Sequence, residues 1–368
     1  MKFKKKLHKK IKENFFNDYG IENYDGDRFG IYEGKKIYNY KDKIKNLVKN
    51  LFDPRLKIEI EAIINSKEKY LQKLEFIYHH LDDESQKILI EVVAFRLLGY
   101  KKIKLSRNNA QYWKALKIAE SLVIGNDTLD PKFMHFILHK MDLTKIGFPI
   151  QFYFSPSLVN IDFIQEQYAL KRKNNYLIQA DKNDVVLDIG GCWGDTALYF
   201  ACKVGEEGKV YSFEFIPGNI DIHKLNQSFN EHLQKQIQII DKPVFNKSGK
   251  DVFYKDFGPG SRIEFEPFEG LSGQTKTITI DDFVSHSDIK RIDFIKMDIE
   301  GAEPYALEGA IETIKKFKPK LAIAIYHSWE DFVNIPIWIL DLNLGYEIYM
   351  DHYTIHAEET VVYAKIKE

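Results

Sequence analysis

From about residue 180 onward, short apolar or β-branched runs alternate with helical stretches, and this alternation limits the fold more than any other feature of the chain. The runs are Val185–Asp188, Lys209–Glu214, Ile237–Ile240, Phe294–Asp298, Leu321–Tyr326, Tyr346–Met350 and Thr360–Ala364. Helical spacing fills Asp195–Val204, Asn219–His232 and Ala306–Phe317 between them. A strand that returns to the same sheet through a helix forms a parallel pair, so the pattern predicts a doubly wound, mostly parallel α/β sheet of seven strands. In such sheets ligands sit beyond the carboxyl ends of the strands, so the residues that follow each run are the ones to inspect.

The first strand end is the most informative. Val185-Val186-Leu187-Asp188-Ile189 runs into Gly190-Gly191-Cys192-Trp193-Gly194, and a helix begins near Asp195. Glycines there let the backbone approach a ligand and take conformations closed to other residues. A dinucleotide site would need Gly-x-Gly-x-x-Gly. Aligning its last two glycines with Gly191 and Gly194 puts Ile189 at the first, so the pattern fails. Asp188 suits a ligand with a cationic portion better than a pyrophosphate. S-adenosylmethionine, with an ammonium, a sulfonium and no phosphate, fits that requirement.

The second strand end, Val210-Tyr211-Ser212-Phe213-Glu214, places an acid 20 residues after Gly194. A carboxylate there is able to accept two hydrogen bonds from a ribose diol. Pro217 and Asn219 open the next helix. The third strand end, Phe294-Ile295-Lys296-Met297-Asp298, leads into Ile299-Glu300-Gly301-Ala302-Glu303. Asp298 and Glu300 could hold a methionine ammonium, position an acceptor hydroxyl or bind a divalent metal. Glu303 reads as an acid favoured by the helix dipole.

These stretches resemble the FkbM family of methyltransferases. The resemblance runs from about Glu166 to the end of the chain. It is carried by Asp188–Gly191 with Gly194-Asp195-Thr196, by Phe213–Pro217 with Asn219, by Thr279–Phe283, by Asp293–Glu303 and by Glu359–Ala364. Family members are typically O-methyltransferases acting on sugars, polyketides and related natural products. The resemblance implies a Rossmann-like methyltransferase sheet with S-adenosylmethionine as cofactor, and a site lined by Asp188, Gly190, Gly194 and Glu214. Gly191, Cys192, Trp193, Thr196 and Asn219 complete the cofactor-binding set. Many relatives have Ala-Asn where this chain has Gly191-Cys192, and Cys192 and Trp193 read as packing or adenine-shelf residues. The implied activity is O-methylation of a sugar hydroxyl, in a nucleotide sugar or a surface polysaccharide.

Methyl transfer is an in-line displacement in which positioning supplies much of the rate. A hydroxyl acceptor also needs a nearby base. The catalytic candidates are Asp298, Glu300 and His327, the last following the strand Leu321–Tyr326. His352 and His356 follow Tyr346–Met350 and are further candidates for that group, or for binding metal with Asp298; no metal-ligand set is assigned. Asp251–Thr277, with Gly258-Pro259-Gly260-Ser261-Arg262, reads as a hairpin or loop over the site, where Arg262 could meet an anionic acceptor. Two other classes fit parts of the pattern. One is an NAD- or nucleotide-binding oxidoreductase on a similar sheet; the other is a non-catalytic binding protein that keeps the fold.

Residues 1–150 are expected to form a helical accessory region, and 151–368 the methyltransferase domain. Helical spacing extends from about Lys41 to Met141. Leu71, Leu74, Ile77 and Tyr78 mark one helix; Asp83 as N-cap with Leu89, Val92, Val93 and Leu97 marks another, closed by Gly99. Phe3, Leu7, Ile11 and Phe15 recur every four residues among lysines, which predicts an amphipathic first helix with at most a weak membrane-surface contact. With 53 basic and 54 acidic residues, no overall field favours nucleic acid. Two cysteines suggest a cytoplasmic setting, no run is long enough to span a bilayer, and the resemblance implies a small-molecule or glycan acceptor.

Overall fold

The computed structural model describes residues 2–34 and 54–367. The stretch from Lys41 to residue 53, where the helical spacing begins, lies outside them. Three strands precede the main sheet and form an antiparallel unit, β1 (Val123–Leu129), β2 (Leu138–Asp142) and β3 (Gln151–Phe154). A hairpin follows, β4 (Leu170–Arg172) with β5 (Asn175–Ile178). The main sheet then uses β6 (Val185–Ile189), β7 (Lys209–Phe213) and β8 (Ile237–Ile240). After β9 (Asp251–Tyr254), β10 (Ile263–Glu264) and β11 (Gly273–Lys276), it resumes with β12 (Phe294–Met297), β13 (Lys320–Ala324), β14 (Tyr346–His352) and β15 (Thr360–Ile366).

The seven strands lie in the order β14-β15-β13-β12-β6-β7-β8. Pairing is parallel from β13 through β8, while β15 runs antiparallel to both its neighbours. The chain winds outward from β6 through β7 to β8 and then returns to β12 on the other side of β6. The crevice of a doubly wound sheet opens at that reversal.

Side-chain alternation along these strands builds two apolar layers, because successive residues point to opposite faces. Leu187, Ile189, Ile295, Met297, Leu321 and Ile323 face one layer. Val186, Val210, Phe294 and Ala322 face the other, with the helix Asp195–Val204 and residues of β2 and β3. The N-terminal helices cover the first face in one continuous core. The helix Lys2–Asn14 buries Phe3, Leu7 and Ile11, so its apolar stripe meets protein, and Lys10 reaches Glu91 at 2.7 Å. No helix among the described residues is long and apolar enough to cross a membrane.

Local details differ from the expectations in instructive ways. The helix Asp83–Leu98 is capped by Asp82, whose carboxylate accepts from the Ser85 N–H at 2.9 Å. Gly99 closes it at φ +75°. Helical spacing ends at Glu120, before Met141, because the β-branched Val123-Ile124 and Thr128 enter the β1–β2 pair. Asp251–Thr277 is more than a loop: β9, β10 and β11 form their own antiparallel sheet in the order β10-β9-β11. The expected helix Ala306–Phe317 is two helices, Glu303–Glu308 and Ile311–Phe317, and Asn219–His232 is Pro217–Ser228 followed by a short turn.

Candidate functional site

Three strand ends, those of β6, β7 and β12, converge at the sheet reversal. Gly190 takes φ +91°, and a Cβ there would lie 1.9 Å from the Asp298 carbonyl oxygen, so only glycine lets the first and third turns pass this closely. The N–H groups of Gly190 and Gly191 both donate to the Phe213 carbonyl, at 3.0 and 2.8 Å. Gly194 begins the helix Asp195–Val204 at φ +85°, with the His223 ring where a Cβ would stand.

Asp188 lies beneath this turn and is fully buried. Its oxygens accept from Thr196 Oγ1 at 2.9 and 3.0 Å and from Ser212 Oγ at 2.9 Å. They also meet Lys296 Nζ at 3.2 Å, and that amine donates to the Gly190 carbonyl at 2.6 Å. Burial opposes the Lys296 charge, but Asp188, Asp298 and Asp195 overcome it and raise its pKa. Asp188 therefore braces the turn from behind. Neither it nor Gly191 or Gly194 lines either of the two cavities at this edge of the sheet, whereas Gly190, Cys192, Trp193, Thr196, Glu214 and Asn219 do. Burial pushes the Cys192 thiol well above its usual range, which leaves it un-ionised.

Glu214 follows β7, and its carboxylate is fixed by hydrogen bonds. Its Oε1 accepts from the N–H groups of Phe215 and Ile216 at 2.7 and 2.8 Å, and its Oε2 from Asn219 Nδ2 at 3.2 Å. Burial raises its pKa to about 7 against those hydrogen bonds. It opens on a cavity of about 390 Å³ with an apolar wall of Ile216, Pro243, Val244 and Phe245.

Asp298 stands where this cavity meets a second one of about 570 Å³. Its carboxylate accepts from Tyr168 at 3.1 Å and from Tyr326 at 3.2 Å, and it meets His327 Nε2 at 3.0 Å. Burial would raise its pKa, but the hydrogen bond and charge of His327 hold it below the usual carboxylate range. Burial likewise would lower the His327 pKa, yet hydrogen bonds to Asp298 and Glu303 lift it to about 11. Glu303, expected as an acid favoured by the helix dipole, opens the helix Glu303–Glu308 and is fully buried. Its Oε1 accepts from the Ile299 N–H at 2.7 Å and lies 3.1 Å from His327 Nε2. Glu300, at φ +59°, borders both cavities, with its carboxylate 3.6 Å from Arg262 and 3.8 Å from His327 Nδ1; burial raises its pKa.

The structure thus brings Asp298, Glu300 and His327 together. His352 and His356 do not join them: His352 bonds Thr360 Oγ1 at 2.8 Å, and His356 accepts from the Glu358 N–H at 3.2 Å. Asp298, Glu303 and His327 each offer one ligand atom, all within 4.8 Å of one another.

Several residues around the second cavity carried no role in the sequence reading. Arg28, from the N-terminal region, pairs with Glu358 at 2.6 Å. Asp162 is a buried acid and Glu359 a half-buried one; burial and neighbouring carboxylates raise the pKa of both, Glu359 to about 8. Tyr112, Phe154, Tyr168 and Tyr326 supply aromatic surface. Lys296 did leave a signal, a lone charge inside the apolar run Phe294–Met297.

Residues 179–348 match the family described as the Methyltransferase FkbM domain. Among solved structures the chain is similar to a methyltransferase FkbM from Methylobacillus flagellatus KT, with 17% identity, coverage of 89% of this chain and 71% of that one, and a TM-score of 0.50. It is also similar to Aeropyrum pernix fibrillarin in complex with S-adenosyl-L-methionine, at 15% identity over 51% of this chain and 68% of the other, with a TM-score of 0.34. At these identities likeness bears on the fold, and the first structure carries it. Comparison with curated proteins gives no match.

Proposed function

With residues 179–348 belonging to the FkbM methyltransferase family, we propose that this protein is an S-adenosylmethionine-dependent O-methyltransferase acting on a hydroxyl of a sugar-like acceptor. The observation that carries the cofactor reading is Glu214. It is a buried carboxylate fixed by two backbone N–H groups at the mouth of an apolar slot. The apolar wall of Ile216, Pro243, Val244 and Phe245 suits a flat heterocycle, and the carboxylate would accept from the ribose hydroxyls. Gly190, Cys192 and Asp298 border both cavities and would hold the methionine portion.

Bound there, S-adenosylmethionine would supply a methyl group on a sulfonium, with its sulfur as the leaving group for an acceptor oxygen. The residues around Asp298 orient the acceptor and receive its proton. His327 is an imidazolium in the free protein, so it acts as a charge that fixes Asp298. Glu300 takes the proton: burial makes it a stronger base than an ordinary carboxylate, and it stands at the junction of the two cavities.

The second cavity supports a polyhydroxylated acceptor. Asp162, Glu358 and Glu359 offer acceptors for hydroxyl donors, and Tyr112, Phe154 and Tyr326 offer faces for sugar C–H groups. Arg262 is exposed at the rim, where an acceptor phosphate would reach it. The reading is tested by calorimetry with S-adenosylhomocysteine, followed by labelled cofactor with a panel of nucleotide sugars and polysaccharide fragments. Saturable binding and a labelled sugar are expected. Absence of binding would overturn the cofactor assignment, and label found only on proteins or phenols would overturn the acceptor class.

A further inference from the structure

The Asp298–His327–Glu303 cluster is arranged more like a set of ligands than a set of hydrogen bonds. His327 Nε2 faces two carboxylate oxygens at nearly equal range, Asp298 Oδ1 at 3.0 Å and Glu303 Oε1 at 3.1 Å. One N–H cannot point along both directions, since a good hydrogen bond is close to linear. The second oxygen of Glu303, on a side chain with no exposure, has no donor. A carboxylate buried in that state costs free energy unless a charge neutralises it.

Three donor atoms around a common centre fit these spacings. Nitrogen and oxygen ligands bind such ions at about 2.0–2.2 Å, so two ligands at right angles lie about 3.0 Å apart. The two measured separations have that length, and all three ligand atoms lie within 4.8 Å. The elements that carry them are rigid. Asp298 follows the buried strand β12, Glu303 opens the helix after it, and His327 follows β13 beside β12. Tyr168 donates to the other Asp298 oxygen, Oδ2, at 3.1 Å, and Tyr326 to both oxygens at 3.2 Å, the kind of outer support that orients metal ligands.

We infer that Asp298, Glu303 and His327 form a site for one divalent first-row transition cation, such as Mn²⁺ or Zn²⁺, at the junction of the two cavities. The mixed imidazole and carboxylate donors favour such ions over Mg²⁺, which prefers oxygen ligands alone. The cation replaces the proton on His327 Nε2, and the remaining coordination positions open toward the cavities that Asp298 and His327 line. Its use in catalysis rests on the methyltransferase reading: an acceptor hydroxyl on the cation loses its proton more readily, with Glu300 beside it to receive the proton.

The experiment titrates chelator-treated, full-length protein with Mn²⁺, following the loss of the free-ion electron paramagnetic resonance signal. One equivalent is expected to bind. Glu303→Gln, which keeps the side-chain shape, and His327→Ala should each weaken binding at least tenfold, while Glu300→Gln changes it less than threefold. Absence of saturable binding overturns the site, as does equal binding by wild type and Glu303→Gln, or equal loss in all three variants. If His327→Ala fails to fold, Glu303→Gln decides. S-adenosylhomocysteine affinity, measured on the same samples, separates the two readings: cofactor binding without Mn²⁺ binding removes the metal site alone, and the reverse removes the methyltransferase reading alone.

Discussion

The two cavities that meet at Asp298 draw their walls from different parts of the chain. Every residue lining the 390 Å³ cavity lies between Ile189 and Asp331, inside the stretch that matches the methyltransferase family. More than half of those lining the 570 Å³ cavity lie outside it, from Asp25 to Tyr168 and from Thr354 to Glu359. A family match is therefore informative about the side proposed for the cofactor and nearly silent about the side proposed for the acceptor. The floors differ too. Glu214 is anchored by its own following turn, whereas Asp162, Arg28 and Glu359 meet only because distant segments fold onto the sheet.

Lys296→Ala tests the element common to both sides and should have the largest effect. It leaves Asp188 buried without its cation, and the loss of a partner from a fully buried pair costs about 3–5 kcal/mol. Denaturant unfolding measures this, and a loss under about 1 kcal/mol would show that the brace is dispensable.

Glu214 next makes the cofactor side pH-dependent. Its folded pKa, about 7, stands above its ordinary 4.5, so its contribution to stability is complete below about pH 4.5 and is lost as pH rises through 7. The loss is on the order of 3 kcal/mol, and it should vanish in Glu214→Gln. Conversely, S-adenosylhomocysteine affinity should rise between pH 6 and about 8, as the carboxylate ionises to accept the ribose hydroxyls. A flat profile by calorimetry would remove Glu214 from the ribose. Glu214→Ala at pH 8 should weaken the same ligand by roughly 10–100-fold, equal to about 1.5–3 kcal/mol, without changing the acceptor KM.

Arg28→Ala should do the opposite and least. The Arg28–Glu358 pair is about one-third exposed, so stability should change by less than about 1 kcal/mol. Acceptor KM should rise roughly 3–10-fold with S-adenosylhomocysteine affinity unchanged. If both ligands weaken together, the two sides are not separable in the way their walls suggest.

The parts of this arrangement that sequence patterns made legible are those written in local periodicity. The seven strands stand out because apolar pairs such as Leu187 with Val186 and Ile295 with Phe294 fill both faces of a buried sheet. Asp298, Glu300 and His327 stand out because each follows a strand at its carboxyl end. Asp188 was legible as a motif residue but not as a brace, because its partners Ser212 and Lys296 come from neighbouring strands. Glu303 read only as a helix-start acid, since nothing local says that His327 comes to rest against it. The swap of helix for strand after Glu120 had the same origin: the pairing of β1 with β2 outweighs a weak helical spacing.

By itself the sequence determined the sheet class and the match of residues 179–348 to the methyltransferase family, because these depend on spacing and motifs within short windows. Only the tertiary structure decided which acids are buried, which way Asp188 faces, and what walls the second cavity. Arg28 and Glu358 form an ion pair across 330 residues of chain. No local pattern encodes such a contact, because it forms when the N-terminal segment packs beside the carboxyl ends of the strands. Burial and charge at those points, and hence their chemistry, are properties of that packing.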